Sequence, residues 1–307
     1  MPPLPPDLSI VLVSWNARPL TVAALRSIVE HVQRISYEII MVDNGSGDGS
    51  PAAVKREFPW VTLIENGDNL GFSKASNQGL RVARGRYLLL LNTDTLQTGN
   101  ALGESVHYMD EHRDVGVLGI RHLNADAARS IQPSCFAFPS AWRDIAGVIG
   151  LYGCGHGGDV TGERDVDWLC GSFFLMRREC LDAVGMLDER FFVYDEDIDW
   201  CRRAWAAGWR VRFWPGVAII HHGAASRSLI RDKTFMHLRS HLSYIAKHHS
   251  SIAACAYYAA MSARLAAGTL WQALRFTIGG ASAADLASRF RRYLRFVLLA
   301  EARRGGL

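Results

Sequence analysis

YLLLLNTD, residues 87–94, joins a strand to a polar stop. Tyr87 to Leu91 run without any polar alternation, the pattern of a strand that hides both faces. The run ends at Asn92-Thr93-Asp94, where the chain would leave a sheet. Working outward, the pattern recurs. SIVLVS (9–14), YEIIMV (37–42) and Val61 to Glu65 read as strands, and Leu20–His31, Pro51–Phe58 and Lys74–Ala83 carry helical spacing between them. Strands alternating with helices predict an α/β fold with a mostly parallel central sheet flanked by helices. Ligands in such sheets bind beyond the carboxyl ends of the strands. The polar residues there are Asn16, Asp43 to Ser46, Asn66 to Asn69 and Asn92 to Asp94.

Beyond about residue 100 the pattern loosens. GCGHGGDVTG (153–162) reads as a glycine-rich loop, Asp167–Arg177 as one buried strand and Arg210–Ile220 as two short ones. From about Asp232 the chain reads as helical. The expected organisation is an α/β domain over 1–231, with halves 1–100 and 101–231, then a helical C-terminal extension over 232–307.

The 307 residues carry a net charge of +4 and are 49% hydrophobic, which suits a globular chain with a large core. The weak charge gives no reason to expect nucleic acid. Cys135, Cys154, Cys170, Cys180, Cys201 and Cys255 are scattered without a CxxC pair, which speaks against zinc or redox chemistry and for a reducing, cytoplasmic location. The opening MPPLPPDLS lacks the basic and apolar regions of a signal peptide.

A dinucleotide-binding domain would need its glycine fingerprint after the first strand, and SWNARPL (14–20) has none. A nucleotidyltransferase would need a glycine-rich basic loop there. Taken in order, SIVLVSWN (9–16), VDNGSGDGS (42–50), NLGFSKASNQG (69–79) and LLLNTD (89–94) resemble glycosyltransferase family 2, whose fold is the Rossmann-like GT-A architecture. FFVYDEDIDWCRR (191–203) and HHGAAS (221–226) are similar to its bacterial rhamnosyltransferase-like branch.

The resemblance implies a nucleoside diphosphate sugar donor, a dTDP- or UDP-sugar. Asp43 would accept from the imide N–H of uracil or thymine, a role suited to a carboxylate. The local alternative is an Asx turn with the following Asn-Gly. Asn16, Asn69, Gly71, Lys74 and Asn77 fall on the donor side, which the resemblance favours; the alternative is that Asn69 and Gly71 merely shape a turn and Asn77 faces solvent. Asn92-Thr93-Asp94 takes the place of the family's DxD motif. Asp94 would bind Mg²⁺ or Mn²⁺ across the diphosphate, and Asn92 stands where many members have Asp. The alternative for Asp94 is a helix N-cap.

In the second half, Asp195, Glu196, Asp197 and Asp199 crowd beside aromatics, which a helix start would also explain. The resemblance makes Asp197, preceded by Glu196, the general base of an inverting transfer, with Asp195, Glu196 and Asp199 as fallbacks. Trp168 and Gly171 (WLCG) fall at the acceptor-side strand, where Trp168 stacks on a sugar or belongs to the core. His221, with His222 second, completes the metal site in related enzymes. Ser226, Arg227 and Arg231 either close over the diphosphate or are solvated.

Residues 285–307 hold six arginines against two acids, interleaved with aromatic and aliphatic residues. That suits an interfacial helix on anionic lipid at the inner face of the cell membrane, or one packed on its own domain or on a partner subunit. The reading is an inverting, metal-dependent hexosyltransferase, with rhamnosyl from dTDP-rhamnose as one donor, acting on a glycan or lipid-linked acceptor in bacterial envelope polysaccharide synthesis. The competing class is a catalytically silent sugar-nucleotide-binding or scaffold protein at the membrane, which would have no need of both Asp94 and Asp197.

Overall fold

The computed structural model describes residues 4–148, 160–223, 233–278, 280 and 282–304. Residues 153–159 of the expected glycine-rich loop, Cys154, Ser226, Arg227 and Arg231 lie outside the described residues. The chain divides into two compact units, Met1–Phe138 with His156–Arg231, and Pro139–Gly155 with Asp232–Leu307.

In chain order the elements are β1 (Leu8–Ser14), α1 (Arg18–His31), β2 (Tyr37–Asp43), α2 (Ser50–Glu57), β3 (Thr62–Glu65), α3 (Phe72–Val82), β4 (Tyr87–Leu91) and β5 (Thr95–Gln97). Then come α4 (Ala101–Glu111), β6 (Val115–Asn124), β7 (Ile131–Gln132), β8 (Cys135–Phe136), α5 (Ala141–Val148), β9 (Arg164–Asp165), β10 (Trp168–Leu169) and β11 (Phe173–Arg177). The series ends with α6 (Arg178–Val184), α7 (Glu196–Ala206), β12 (Arg210–His221), α8 (Lys233–His248), α9 (Ser251–Thr277) and α10 (Ala283–Arg304).

The main sheet of the first unit runs β3-β2-β1-β4-β11-β6-β12-β5. β1 pairs in parallel with β2 and β4, β2 with β3, and β12 with β6; β11 is antiparallel to β4 and β6. The unbroken apolar runs follow from burial on both faces. Tyr87, Leu89 and Leu91 of β4 join one core cluster with Leu25 and Ile28 of α1. Leu88 and Leu90 join the other, with Leu80 of α3 and Trp200 of α7.

The second half departs from the sequence reading at several elements. The single strand expected over 167–177 is two: β10 pairs with β8 in a separate small sheet, and β11 enters the main sheet. The Cys170–Ser172 turn separates them. The two strands expected over 210–220 are one twelve-residue strand, β12, carrying a register shift between Trp214 and Ala218. Pro215 lies in that gap and has no N–H for the ladder, so the chain bulges rather than ends. β6 was not expected. Gly116 and Gly119 dilute its apolar run, yet it is almost wholly buried.

In the second unit α9 packs with α5, α8 and α10. Ser250 caps α9 by accepting from the Ala253 N–H, Tyr258 stacks on Phe296 of α10, and Arg264 donates to the Gly147 and Val148 carbonyls of α5. No described helix is long and apolar enough to cross a membrane.

Candidate active site

The strand order reverses at β1 and β4, and the polar residues singled out in the sequence gather where those strands and their neighbours leave the sheet. After β1, Asn16 takes a positive φ of 49°. Its N–H donates to Ser46 Oγ, and its Oδ1 accepts from the Gly47 N–H. It therefore ties the β1 loop to the β2 loop. Asp43, at the end of β2, is buried. Its Oδ2 accepts from the Ser46 N–H at 2.9 Å, so the Asx turn does form. Its Oδ1 is equally buried and has no hydrogen-bond partner. A buried, unpaired carboxylate oxygen calls for a donor.

Asn44 holds the next turn. Its Nδ2 donates to Asn69 Oδ1 and the Gly71 carbonyl, and its Oδ1 accepts from the Leu70 N–H. Asn69 Oδ1 also accepts from the Gly71 N–H, so Asn69 shapes this turn. Gly71 has φ +88°, and a Cβ there would lie 2.7 Å from the Phe192 carbonyl oxygen. Only glycine lets the Phe72 N–H reach that oxygen, at 2.6 Å. Lys74 is exposed on α3. Asn77 is buried, with Nδ2 donating to the Leu187 carbonyl and Glu189 Oε1 while Oδ1 accepts from the Leu187 N–H. Its amide is spent on fastening residues 187–189 to α3.

Asp94 follows β4 and is buried. Strand β5 begins at the next residue, so Asp94 is not a helix N-cap. β5 pairs antiparallel with β12, with Thr95 opposite His221. Asp94 Oδ1 and His221 Nε2 stand 3.3 Å apart. His221 Nδ1 donates to Gln132 Oε1 at 2.7 Å, which leaves Nε2 as the ring nitrogen turned toward the carboxylate. A carboxylate and an imidazole nitrogen facing each other in a buried place are ligand types that suit a shared divalent cation. Among the described residues no group of three His, Cys, Asp or Glu gathers there or elsewhere, so phosphate oxygens and water would complete the shell. His222 donates its N–H to the Asp94 carbonyl at 2.9 Å.

Glu196 and Asp197 open α7. Tyr194 and Asp195 before them both have positive φ, 72° and 66°. Two such non-glycine residues in a row are held by their surroundings at a cost. Asp197 Oδ2 accepts from the Gly171 N–H and Oδ1 from the Ile198 N–H, each at 2.9 Å. Burial pushes its carboxyl up to about 6; the Gly171 N–H opposes this, Asp195 adds to it, and the Ile198 N–H opposes it. Glu196 is more deeply buried, and burial, then Asp197, hold its carboxyl well above the usual range. Its Oε2 is buried without a hydrogen-bond partner. Asp199 is fully buried and ion-paired with Arg203 at 2.9 Å. Trp168 stacks on Phe136 at 4.4 Å and donates Nε1–H to the Ala137 carbonyl.

The sequence reading missed His122, Ser172 and Gln132. Ser172 accepts from the Asn92 N–H through its carbonyl and meets His122 Nδ1 through its hydroxyl, linking the 92–94 turn to the one that presents Gly171 to Asp197. The His122 ring lies 5.7 Å from that of His221. Burial, then the neighbouring His221, pull His122 down to about 3 against the pull of Asp94, so it stays neutral. A histidine inside the apolar run of β6 was the available signal; Gln132 had none.

Residues 9–185 match the family model described as glycosyl transferase family 2. The chain is 28% identical over 264 residues to the N-acetylglucosaminyl-diphospho-decaprenol L-rhamnosyltransferase of Mycobacterium tuberculosis, covering 80% of this chain and 82% of that one. It is 29% identical over 171 residues to the rhamnosyltransferase WbbL of Escherichia coli K12, covering 54% of this chain and 64% of that one. Among solved structures it is similar to a mannosyltransferase from Pyrobaculum calidifontis in complex with GDP-Man and Mn²⁺, with TM-score 0.56 and 20% identity over 97% of this chain and 87% of that one. The likeness is one of fold, the GT-A architecture.

Proposed function

Because the chain belongs to glycosyl transferase family 2, we propose that it is an inverting, metal-dependent hexosyltransferase. The donor is a dTDP- or UDP-sugar, dTDP-rhamnose foremost, and the acceptor a lipid-diphosphate-linked glycan of bacterial envelope polysaccharide synthesis. The rhamnosyltransferases it resembles support this choice. The observation that carries the reading is the convergence, at one edge of one sheet, of an unpaired buried acceptor at Asp43, the facing Asp94–His221 pair and the carboxylate of Asp197.

Asp43 Oδ1 takes the imide N–H of the base. Asp94 and His221 are the residues that would hold Mg²⁺ or Mn²⁺, and a cation there would supply positive charge toward the leaving diphosphate. Asp197 is the ionised member of the acidic pair, because Glu196 beside it keeps its proton. It removes the proton of the acceptor hydroxyl as that oxygen attacks the anomeric carbon from the face opposite the nucleotide. The Gly171 and Ile198 N–H groups aim the carboxylate. A single displacement inverts the anomeric centre. Asn16, Asn69, Gly71 and Asn77 serve the donor side by holding its loops, Lys74 faces the donor from α3, and Trp168 with Gly171 borders the acceptor.

Incubation with dTDP-rhamnose or a UDP-sugar, Mn²⁺ and an N-acetylglucosaminyl-diphospho-polyprenol, followed by detection of free nucleoside diphosphate and the extended lipid, tests the proposal. Failure to bind any nucleotide, with no turnover of any donor, would overturn it.

A further inference from the structure

From the exposed face of α9 in the second unit we infer a docking surface for an anionic lipid bilayer. α9 is too polar to span a membrane, yet it leaves large apolar side chains in water. Ile252 is 76% exposed, Leu270 71%, Trp271 62% and Ile278, at the helix end, 74%. Leu274 is exposed as well, and so are Ala259, Ala263 and Ala267.

These residues are not scattered. At about 100° per residue, Ile252, Ala259, Ala263, Ala267, Leu270, Trp271, Leu274 and Ile278 fall within an arc of about 120°, along about 39 Å of helix. The opposite face carries the buried Met261 and Gln272, while the buried Ala253 and Tyr257 lie along the Trp271 edge of the stripe and the exposed Phe276 lies outside it. The stripe is thus a second apolar face, separate from the one that builds the core of the unit.

Charge selects the occupant. Arg264 and Arg275 lie at the edge of the stripe, within about 40° of Trp271 at that pitch. Between Asp232 and Asp285 the sequence has no Asp or Glu, while it has Lys233, Arg239, Lys247, Arg264 and Arg275. A second copy brought against this face would offer its own cations no carboxylate from these helices. A bilayer of acidic phospholipid offers both an apolar layer for the stripe and phosphates for its cationic edge. Trp271, with an apolar ring and one N–H, is suited to the boundary between them. Among the described side chains of α10, the large apolar residues in water are Phe290 and Leu294, at 49% and 40%.

Flotation of the full chain, without donor, on vesicles of phosphatidylglycerol and phosphatidylethanolamine tests the inference separately from catalysis. The wild type should float with these vesicles and far less with phosphatidylcholine alone. The double variant Trp271→Glu, Leu274→Glu should lose at least tenfold in partitioning. Arg275→Glu, which leaves the apolar stripe intact, should weaken binding to the acidic vesicles alone. Both should keep the wild-type circular dichroism and hydrolyse donor in solution at the wild-type rate. Absent flotation, flotation indifferent to these substitutions, or a wild-type dimer that the double variant splits in sedimentation velocity would each overturn it.

Discussion

Asp94 Oδ1 stands 3.3 Å from His221 Nε2 because β5 turns the chain straight back beside β12. Thr95 lies opposite His221 in that ladder, and the His222 N–H donates to the Asp94 carbonyl. The backbone therefore sets the pair before any ligand arrives. Such prior placement lets two ligands serve a hard cation that takes the rest of its shell from phosphate and water.

Gln132 fixes the tautomer of His221 by accepting its Nδ1–H. Gln132→Ala should leave the fold intact, since the residue is partly exposed on a two-residue strand. It should weaken Mn²⁺ activation of nucleotide release about 10- to 100-fold, the usual effect of removing a partner behind a metal-bound histidine. Asp94→Asn should cost more. A Mn²⁺ titration unchanged in both variants would take the cation away from this pair.

Asp43 divides its two oxygens between the fold and the pocket. In Asp43→Asn the amide oxygen can keep the Ser46 N–H, so the turn survives. The amide nitrogen then replaces the unpaired Oδ1 and meets the imide N–H donor to donor. Affinity for UDP or dTDP should fall by about 1–3 kcal/mol, and the melting temperature should hardly move. Calorimetry with UDP reads the first and a thermal melt the second. Unchanged UDP affinity would place the base elsewhere.

Asp197 gives a prediction with two opposite signs. As the base it must be ionised, so kcat/KM should fall as the pH drops through about 6. Asp197→Asn should lower kcat by about 10²–10⁴-fold while nucleotide binding persists. Stability runs the other way. Folding raises this carboxyl above its ordinary 3.8, so its contribution is present below that value and is lost as pH rises through about 6. The Asn variant loses one of the two backbone N–H bonds at any pH, but its stability relative to the wild type should rise by on the order of 1–3 kcal/mol between pH 4 and pH 8. Full activity in the variant, or a melting-temperature difference between variant and wild type that does not change from pH 4 to pH 8, would end the assignment.

The parts legible in the sequence are those written locally. β1 to β4 show because burial on both faces leaves continuous apolar runs, and Asp43 and Asp94 show because each closes such a run. β6 stayed hidden because glycines and the polar pair Arg121-His122 interrupt it. β12 read as two strands because Pro215 breaks the pattern without breaking the strand. The facing of Asp94 and His221 depends on the β5–β12 register, and register between distant segments leaves no local mark. Residues 139–155 cluster with the C-terminal helices for the same reason, through contacts such as Arg264 with the α5 carbonyls. The apolar stripe on α9 is masked in the sequence by the alanines that fill it.

Asn77 separates a residue that touches the donor from one that holds the loop beside it. Its amide meets both the N–H and the carbonyl of Leu187 and also Glu189, all buried or partly so. Asn77→Ala strands two backbone groups of Leu187, each costing about 1–3 kcal/mol when left unpaired in the interior. The variant should therefore melt well below the wild type. Asn77→Asp restores the acceptor for the Leu187 N–H but sets a carboxylate against Glu189, so it should recover little stability at neutral pH and more in mild acid. At temperatures where the alanine variant is still folded, its KM for donor should lie within about threefold of the wild type, less than 1 kcal/mol. A KM raised tenfold or more in a variant whose melting temperature is unchanged would show instead that Asn77 contacts the donor.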